Sequence, residues 1–372
     1  MMALEDAWRC VHCGLCLTAC PMREAWPPYG EVGTPRGKVS MVQGYLMGVF
    51  GRDPNLEEEF WYRCSLCERC HQFCPLHLRI SGMVLGMRQR LLEDGRVPQV
   101  ARRALMSLHR YGNPWHQPPE SRGEWARGLP LKVSGDGNGA EVLLYVGCFG
   151  SYDPRGQKMA RALAEVLLAS GVEFSILGPE ELCCGREAYS LGEKGLLEWL
   201  RERNLEIFSR YRVRKVVTLS PHCYDAFRNL YPPFAEVEHY SVVLAKLMRE
   251  GRLPLKGSQG EKVVYHDPCH LGRRNAIYDE PRQVLRAMGF KLLELPHSRQ
   301  MAFCCESGGG KMWLPSPGVP MGPKKILQEA ETLGADAVVT SCPFCVAALE
   351  AASGSLEILD LAELVKRVWD QR

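Results

Sequence analysis

Phe303-Cys304-Cys305-Glu306 is the stretch from which the rest of the chain can be understood, with Cys269 upstream in Asp267-Pro268-Cys269-His270 and Cys342-Pro343-Phe344-Cys345 downstream. Five thiols belong to this pattern. Two adjacent cysteines seldom reach two corners of one zinc tetrahedron, whereas a multi-iron cluster offers several metal atoms to bind. The pattern therefore points to a cluster site rather than to a pair of thiols packed as small apolar groups.

Working outward, every one of the 17 cysteines falls in one of four motifs. Eight lie in Cys10-x-x-Cys13-x-x-Cys16-x-x-x-Cys20-Pro21 and Cys64-x-x-Cys67-x-x-Cys70-x-x-x-Cys74-Pro75, the bacterial ferredoxin ligand run written twice. In that run three close thiols serve one [4Fe-4S] cubane and the fourth, before a proline that turns the chain away, serves the other. The expected sets are Cys10, Cys13 and Cys16 with Cys74, and Cys64, Cys67 and Cys70 with Cys20. A zinc ribbon also uses Cys-x-x-Cys, but it does not call for third and fourth cysteines at fixed spacing in both copies. The 43 residues between the runs, with an apolar helical stretch from Val39 to Phe50, suggest a helical ferredoxin domain. Helical periodicity continues through residues 81–111, where Met83 and Met87 are expected to be core.

The remaining nine cysteines mark a duplication with a period of 121 to 122 residues. Cys148 matches Cys269, Cys183-Cys184 matches Cys304-Cys305, Val216-Val217-Thr218 matches Val338-Val339-Thr340, and Cys223 matches Cys345. Each copy alternates strand-like runs (142–146, 215–219, 262–265, 337–340) with helical stretches (159–170, 196–208, 324–333, 361–368), the pattern of α/β units on a parallel sheet. Ligands gather at the carboxyl ends of such strands. The copies differ at two positions: Ser220 stands where the second copy has Cys342, and Gly185 where it has Glu306. Serine is a much weaker ligand for soft iron–sulfur chemistry.

The expected architecture is thus α plus α/β. A helical two-cluster ferredoxin domain occupies residues 1–111 and a Pro/Gly/Trp-rich linker residues 112–139, carrying Trp115 and Trp125 as candidate anchors. The first cysteine-rich repeat follows at 140–255 and the second at 256–372. With 46% hydrophobic residues the chain can build proper cores, and its 46 basic against 43 acidic groups leave an excess too small for a nucleic-acid footprint. No secretory leader or membrane-length apolar run is apparent, and an odd cysteine count fits a reducing compartment. A cytoplasmic protein is expected, with membrane contact only through a partner.

His222, His266 and His270 sit beside cluster cysteines and can be read as outer donors or as histidines satisfied by backbone. Gly308-Gly309-Gly310 lacks the ending of a P-loop and the spacing of a dinucleotide turn, so no direct NAD or FAD binding is expected. Close approach of backbone to a cluster explains the glycines better.

Together these motifs resemble the cysteine-rich (CCG-domain) iron–sulfur oxidoreductases, among them the D subunit of heterodisulfide reductase and the iron–sulfur subunits of glycolate, lactate and anaerobic glycerol-3-phosphate oxidation. The resemblance spans nearly the whole chain, including Thr34-Pro35-Arg36-Gly37, His266-Asp267-Pro268-Cys269 and Gly308 to Trp313. It implies two cubane clusters and a noncubane [4Fe-4S] cluster on Cys269, Cys304, Cys305, Cys342 and Cys345, with Cys304 and Cys305 the reactive pair. Cys148, Cys183, Cys184 and Cys223 keep four of five ligands for a second cluster, or a zinc ion, in the first repeat. The implied function is an electron-transfer subunit between a flavoprotein and a quinone or thiol/disulfide acceptor. The flavoprotein would be of the 2-hydroxy-acid or acyl-CoA dehydrogenase or electron-transferring flavoprotein type. The implied assembly is a hetero-oligomer with that flavoprotein and a membrane quinone-reactive subunit. The alternative is catalytic cleavage of a small-molecule or protein disulfide.

Overall fold

The computed structural model describes residues 4–25, 30–49, 60–134, 141–253, 257, 260–314 and 320–371. Two parallel sheets carry the duplicated part. In the first, β1 (Lys132–Val133), β2 (Val142–Tyr145), β3 (Ser175–Ile176), β4 (Lys215–Thr218) and β5 (Glu236–His239) lie in the order β1-β3-β2-β4-β5. In the second, β6 (Lys262–His266), β7 (Lys291–Leu293), β8 (Ala337–Thr340) and β9 (Glu357–Asp360) lie in the order β7-β6-β8-β9. All neighbours are parallel, and the central registers repeat: Tyr145 lies beside Thr218, and His266 beside Thr340. The extra strand β1 comes from the stretch read as linker, which also sends Trp125 into the core.

The strands are short apolar runs, buried through Leu143, Leu144, Val216 and Val217 in one sheet and Val263, Val264, Val338 and Val339 in the other. Helices start where the sequence supplies caps. Asp153 accepts from the Arg155 and Gly156 amides ahead of Pro154–Ala169, Ser220 accepts from His222 N ahead of Pro221–Asn229, and Asp360 closes a capping box with Glu363. Helix Pro154–Ala169 packs on Leu361–Asp370, and Tyr240–Arg249 packs on Asp279–Ala287. These two pairs are equivalent under the duplication, so the repeats face each other about a pseudo-twofold relation and share one apolar core.

The amino-terminal part is helical, as expected, with Pro35–Leu46, Ile80–Glu93 and Gln99–Tyr111 as its main elements. The first of these starts before Val39 because Thr34 caps it and Pro35 presets its first turn; Phe50 lies outside the described residues. Met83 and Met87 are buried among Val39, Trp61, Val84 and Leu91. This domain is held to the repeats by buried arginines. Arg88 donates to the carbonyls of Trp61, Cys64, Ser190 and Gly309, and Arg69 to those of Ala19 and Met301. A buried guanidinium bonded to several carbonyls fixes the backbones it joins, because losing it would strand all of those acceptors.

Candidate metal centres

The two ferredoxin runs form matching loops. Residues with positive φ recur at the same two places, His12 (53°) and Gly14 (81°) in the first and Leu66 (54°) and Glu68 (62°) in the second. Such turns aim successive amides inward and make an anion-binding hollow, which suits a sulfur-rich cluster. Cys10, Cys13, Cys16 and Cys74 line one cavity with Val39 and Leu78. Cys20, Cys64, Cys67 and Cys70 line a second with Lys38, Ser65 and Glu306. Burial pushes the Cys20 thiol up to about 12 against the opposing pull of Lys38, so a thiolate there requires a cation such as cluster iron.

The second repeat buries Cys269, Cys304, Cys305, Cys342 and Cys345 together. Cys269 follows β6, and Cys342 follows β8 and caps helix Pro343–Ala352, so the carboxyl ends of the central strands bring them in. Cys305 Sγ lies 3.1 Å from Cys345 Sγ, and Cys304 Sγ accepts from Glu306 N at 3.2 Å. Cys304 is also within hydrogen-bonding reach of Cys269, Cys305 and, from the ferredoxin domain, Cys67. Burial raises Cys342, but hydrogen bonds with Cys345 and His222 outweigh it and bring the thiol down to about 6. Thiols this crowded would repel one another as thiolates unless metal compensated them, so the donor set fits a cluster.

Glu306 does not crowd these thiols. It sits at φ 64° where its duplicate Gly185 has φ 79°, and its carboxylate turns to Lys311 Nζ and Gly322 N, each at 2.7 Å. The glycine run serves a close approach, but to protein: a Cβ on Gly309 would fall 2.6 Å from the carbonyl oxygen of Ser65.

In the first repeat Cys148, Cys183, Cys184 and Cys223 form a row of thiols in mutual contact, with Ser220 in the same cavity. Beside this row of thiols lie two residues that sequence patterns did not single out. Arg122 and Glu181 form a buried ion pair of 3.0 Å, and Arg122 Nη2 stands 3.4 Å from Cys148 Sγ. Gly147 must lack a side chain, since a Cβ there would meet Cys223 Sγ at 2.7 Å. Among the described residues no three Cys, His, Asp or Glu side chains are gathered as one metal ion requires.

Between the two sites, His222 stacks on His270 (3.9 Å between ring centres) and on Phe344 (4.0 Å). Burial pulls His222 down, but Cys342 and Glu187 outweigh it and lift the imidazole to about 9. His270 goes well below its ordinary value through burial and the nearby His222 charge. Glu187 accepts from Trp313 Nε1 at 3.1 Å, and Trp115 meets Trp313 and Phe149 edge-on at 4.7 and 5.5 Å. Arg122, Glu181, Glu187, Arg88 and Ser65 escaped sequence reasoning, since single polar residues carry no spacing signal. The one available clue was their position beside or between cysteine motifs.

A duplicated parallel α/β unit with paired cysteines at its strand ends, joined to a crossed two-run ferredoxin domain, defines a class. The sequence profile described as "Cysteine-rich domain" matches residues 142–228 and 263–350, and that described as "4Fe-4S dicluster domain" matches residues 6–78. The chain belongs to the cysteine-rich (CCG-domain) iron–sulfur oxidoreductase family. Among individual proteins, it is 35% identical to an EtfAB:quinone oxidoreductase of Syntrophomonas wolfei, over 89% of this chain and 48% of that protein. It is 34% identical to a probable membrane-anchored ferredoxin of Chromohalobacter salexigens, over 97% of this chain and 59% of that one. It is 29% identical to the D subunit of the dihydromethanophenazine:CoB--CoM heterodisulfide reductase of Methanosarcina barkeri, over 96% and 92%. The chain therefore spans about half to three fifths of the first two relatives' length. A crystal structure of a hypothetical protein from Helicobacter pylori shares the fold, with a TM-score of 0.57 at 12% identity over 91% of this chain and 68% of that one. Among the described residues no helix is long and apolar enough to cross a membrane.

Proposed function

We propose that this chain is the iron–sulfur electron-transfer part of a larger redox assembly, taking electrons from an electron-transferring flavoprotein and delivering them toward a quinone. The observation that carries this reading is the continuity of the thiol sites. The cavity of Cys10, Cys13, Cys16 and Cys74 adjoins that of Cys20, Cys64, Cys67 and Cys70, where Cys16 and Cys70 feel each other's charge. Cys67 of the second cavity in turn touches Cys304 of the five-thiol site. Clusters bound at these places supply one-electron chemistry; the chain's own residues set their spacing, bury them and provide hydrogen bonds to their sulfurs.

In this reading the crossed sets hold two [4Fe-4S] cubanes, the five thiols hold a noncubane [4Fe-4S] cluster, and the first repeat, weakened by Ser220, binds metal poorly. The relative named as an EtfAB:quinone oxidoreductase supports the choice of donor and acceptor. Anaerobic purification with native partners tests it: a copurifying flavoprotein whose reduced form reduces this chain is expected, and its absence sinks the reading. A second reading is disulfide cleavage at Cys304 and Cys305. It is favoured by the heterodisulfide reductase relative, of which this chain covers 92%, and by the His222–His270 stack set between the two cysteine-rich sites. Disulfide turnover by the isolated, reconstituted chain would move it ahead.

A further inference from the structure

Ser65 lies between Cys64 and Cys67 in the second ferredoxin loop, yet its hydroxyl meets the other domain. As a thiol, Cys304 Sγ donates to Ser65 Oγ at 3.3 Å, and the serine is 8% exposed, so little water competes for that contact. Once Cys304 is a metal-bound thiolate it has no proton to give, and in the same contact the hydroxyl is the donor. The loop is pinned on all sides. Arg88 donates to Cys64 O at 2.6 Å and Gly309 O at 2.7 Å, Arg273 to Cys67 O at 2.8 Å, and Arg274 to Leu66 O at 2.9 Å. Bare Gly309 lets the two backbones close to this distance.

The duplication supplies a comparison within the molecule. Cys304 and its counterpart Cys183 each accept an amide from two residues on, Glu306 N at 3.2 Å and Gly185 N at 3.4 Å. Among the described residues' hydrogen bonds, only Cys304 of the two also has a hydroxyl partner, and that hydroxyl comes from a ferredoxin ligand loop. Hydrogen bonds to cluster sulfurs draw charge off the thiolate and favour the more negative, reduced form.

We propose that Ser65 is a positioning residue for electron transfer between the ferredoxin domain and the five-thiol site: its hydroxyl donates to the Cys304 thiolate and raises that site's reduction potential relative to the neighbouring cubane. This rests on the reading that both sites hold clusters. The step moves one electron; the ferredoxin-side cluster is oxidised by one, the five-thiol cluster reduced by one, no bond breaks, and the serine keeps its proton. The hydroxyl therefore biases electron sharing toward the five-thiol site without taking part in chemistry.

The test is a redox titration, followed by electron paramagnetic resonance, of the anaerobically reconstituted full chain as wild type, Ser65→Ala and Ser65→Thr. In Ser65→Ala the five-thiol signal should titrate lower, by about a tenfold change in electron sharing, which for one electron is about 59 mV. The cubane potentials should stay put, and Ser65→Thr should return the wild-type value. Equal five-thiol potentials in wild type and Ser65→Ala overturn the proposal. A wild type with no five-thiol signal refutes the cluster assignment instead, and this is read before any substitution. Should Ser65→Ala load poorly, electron–nuclear double resonance on reduced wild type, Ser65→Thr and Ser65→Gly decides. An exchangeable-proton coupling present in wild type and Ser65→Thr but missing from Ser65→Gly upholds the proposal; the same couplings in all three, from the Glu306 amide and the His222, His266 and His270 rings, overturn it.

Discussion

Glu306 occupies a left-handed backbone position that its duplicate gives to glycine, at a cost of about 1 kcal/mol for a residue with a side chain. Its carboxylate offsets that cost by pairing with Lys311, whose ammonium is otherwise enclosed. Glu306→Gly should relieve the backbone but strand the lysine, for a net loss of about 3 kcal/mol. The double variant with Lys311→Met should recover most of it. Denaturant midpoints check both, and a stabilised Glu306→Gly would show the pair to be dispensable. His239 makes a second prediction, away from the thiols. Burial holds its imidazole down at about 3, although a hydrogen bond with the Leu219 backbone pulls the other way. The unfolded residue protonates near pH 6.5, so falling pH feeds protons to the unfolded chain first. Stability from this residue is present above about 6.5 and is lost as pH falls toward 3, by up to about 1.4 kcal/mol per unit. His239→Asn, which can still cap helix Tyr240–Arg249, should flatten the decline of the thermal midpoint relative to wild type between pH 6.5 and 5. Parallel curves for the two proteins would refute the assignment.

At the scale of elements, the ferredoxin loops cross: each run of three cysteines shares its cavity with the fourth cysteine of the other run. Cys74→Ser should therefore disturb the signal of the cluster on Cys10, Cys13 and Cys16, although Cys74 is nearer in sequence to Cys70. Resonance spectra of the reduced variant check this, and a loss confined to the other cluster contradicts it. This crossing was legible because the motif spacing is a statement about local reach, and local reach is fixed by bond geometry. Strand and helix cores were legible for a similar reason. Val142–Tyr145 and Ala337–Thr340 are short apolar runs bounded by turn residues. The placement of the linker was not legible. Arg122, Trp125 and the edge strand Lys132–Val133 pack on the first repeat through partners about 26 to 59 residues away, which leave no period in the sequence.

For the whole molecule, the two cysteine-rich sites should differ in metal content. An iron atom prefers thiolate, and the Ser220 hydroxyl holds its proton far more tightly while its oxygen already accepts from His222 N as a helix cap. Anaerobic reconstitution should give roughly twelve iron atoms per chain, from two cubanes and one further four-iron cluster. Cys304→Ser should abolish the unusual cluster signal and electron delivery, while Cys183→Ser should chiefly lower folding yield. Roughly sixteen irons, with Cys183→Ser as damaging to turnover as Cys304→Ser, would make both repeats functional clusters and favour disulfide cleavage. The sequence by itself determined the inventory: which thiols belong to which motif, the duplication, and the α/β alternation, all carried by spacing and periodicity along the chain. The tertiary structure alone decided what those sites touch. The Ser65–Cys304 contact joins residues 239 positions apart, and the His222–His270 stack joins the two repeats across their pseudo-twofold interface. Such contacts depend on how buried arginines and glycines set one domain against another, a metric relation that a linear pattern does not contain.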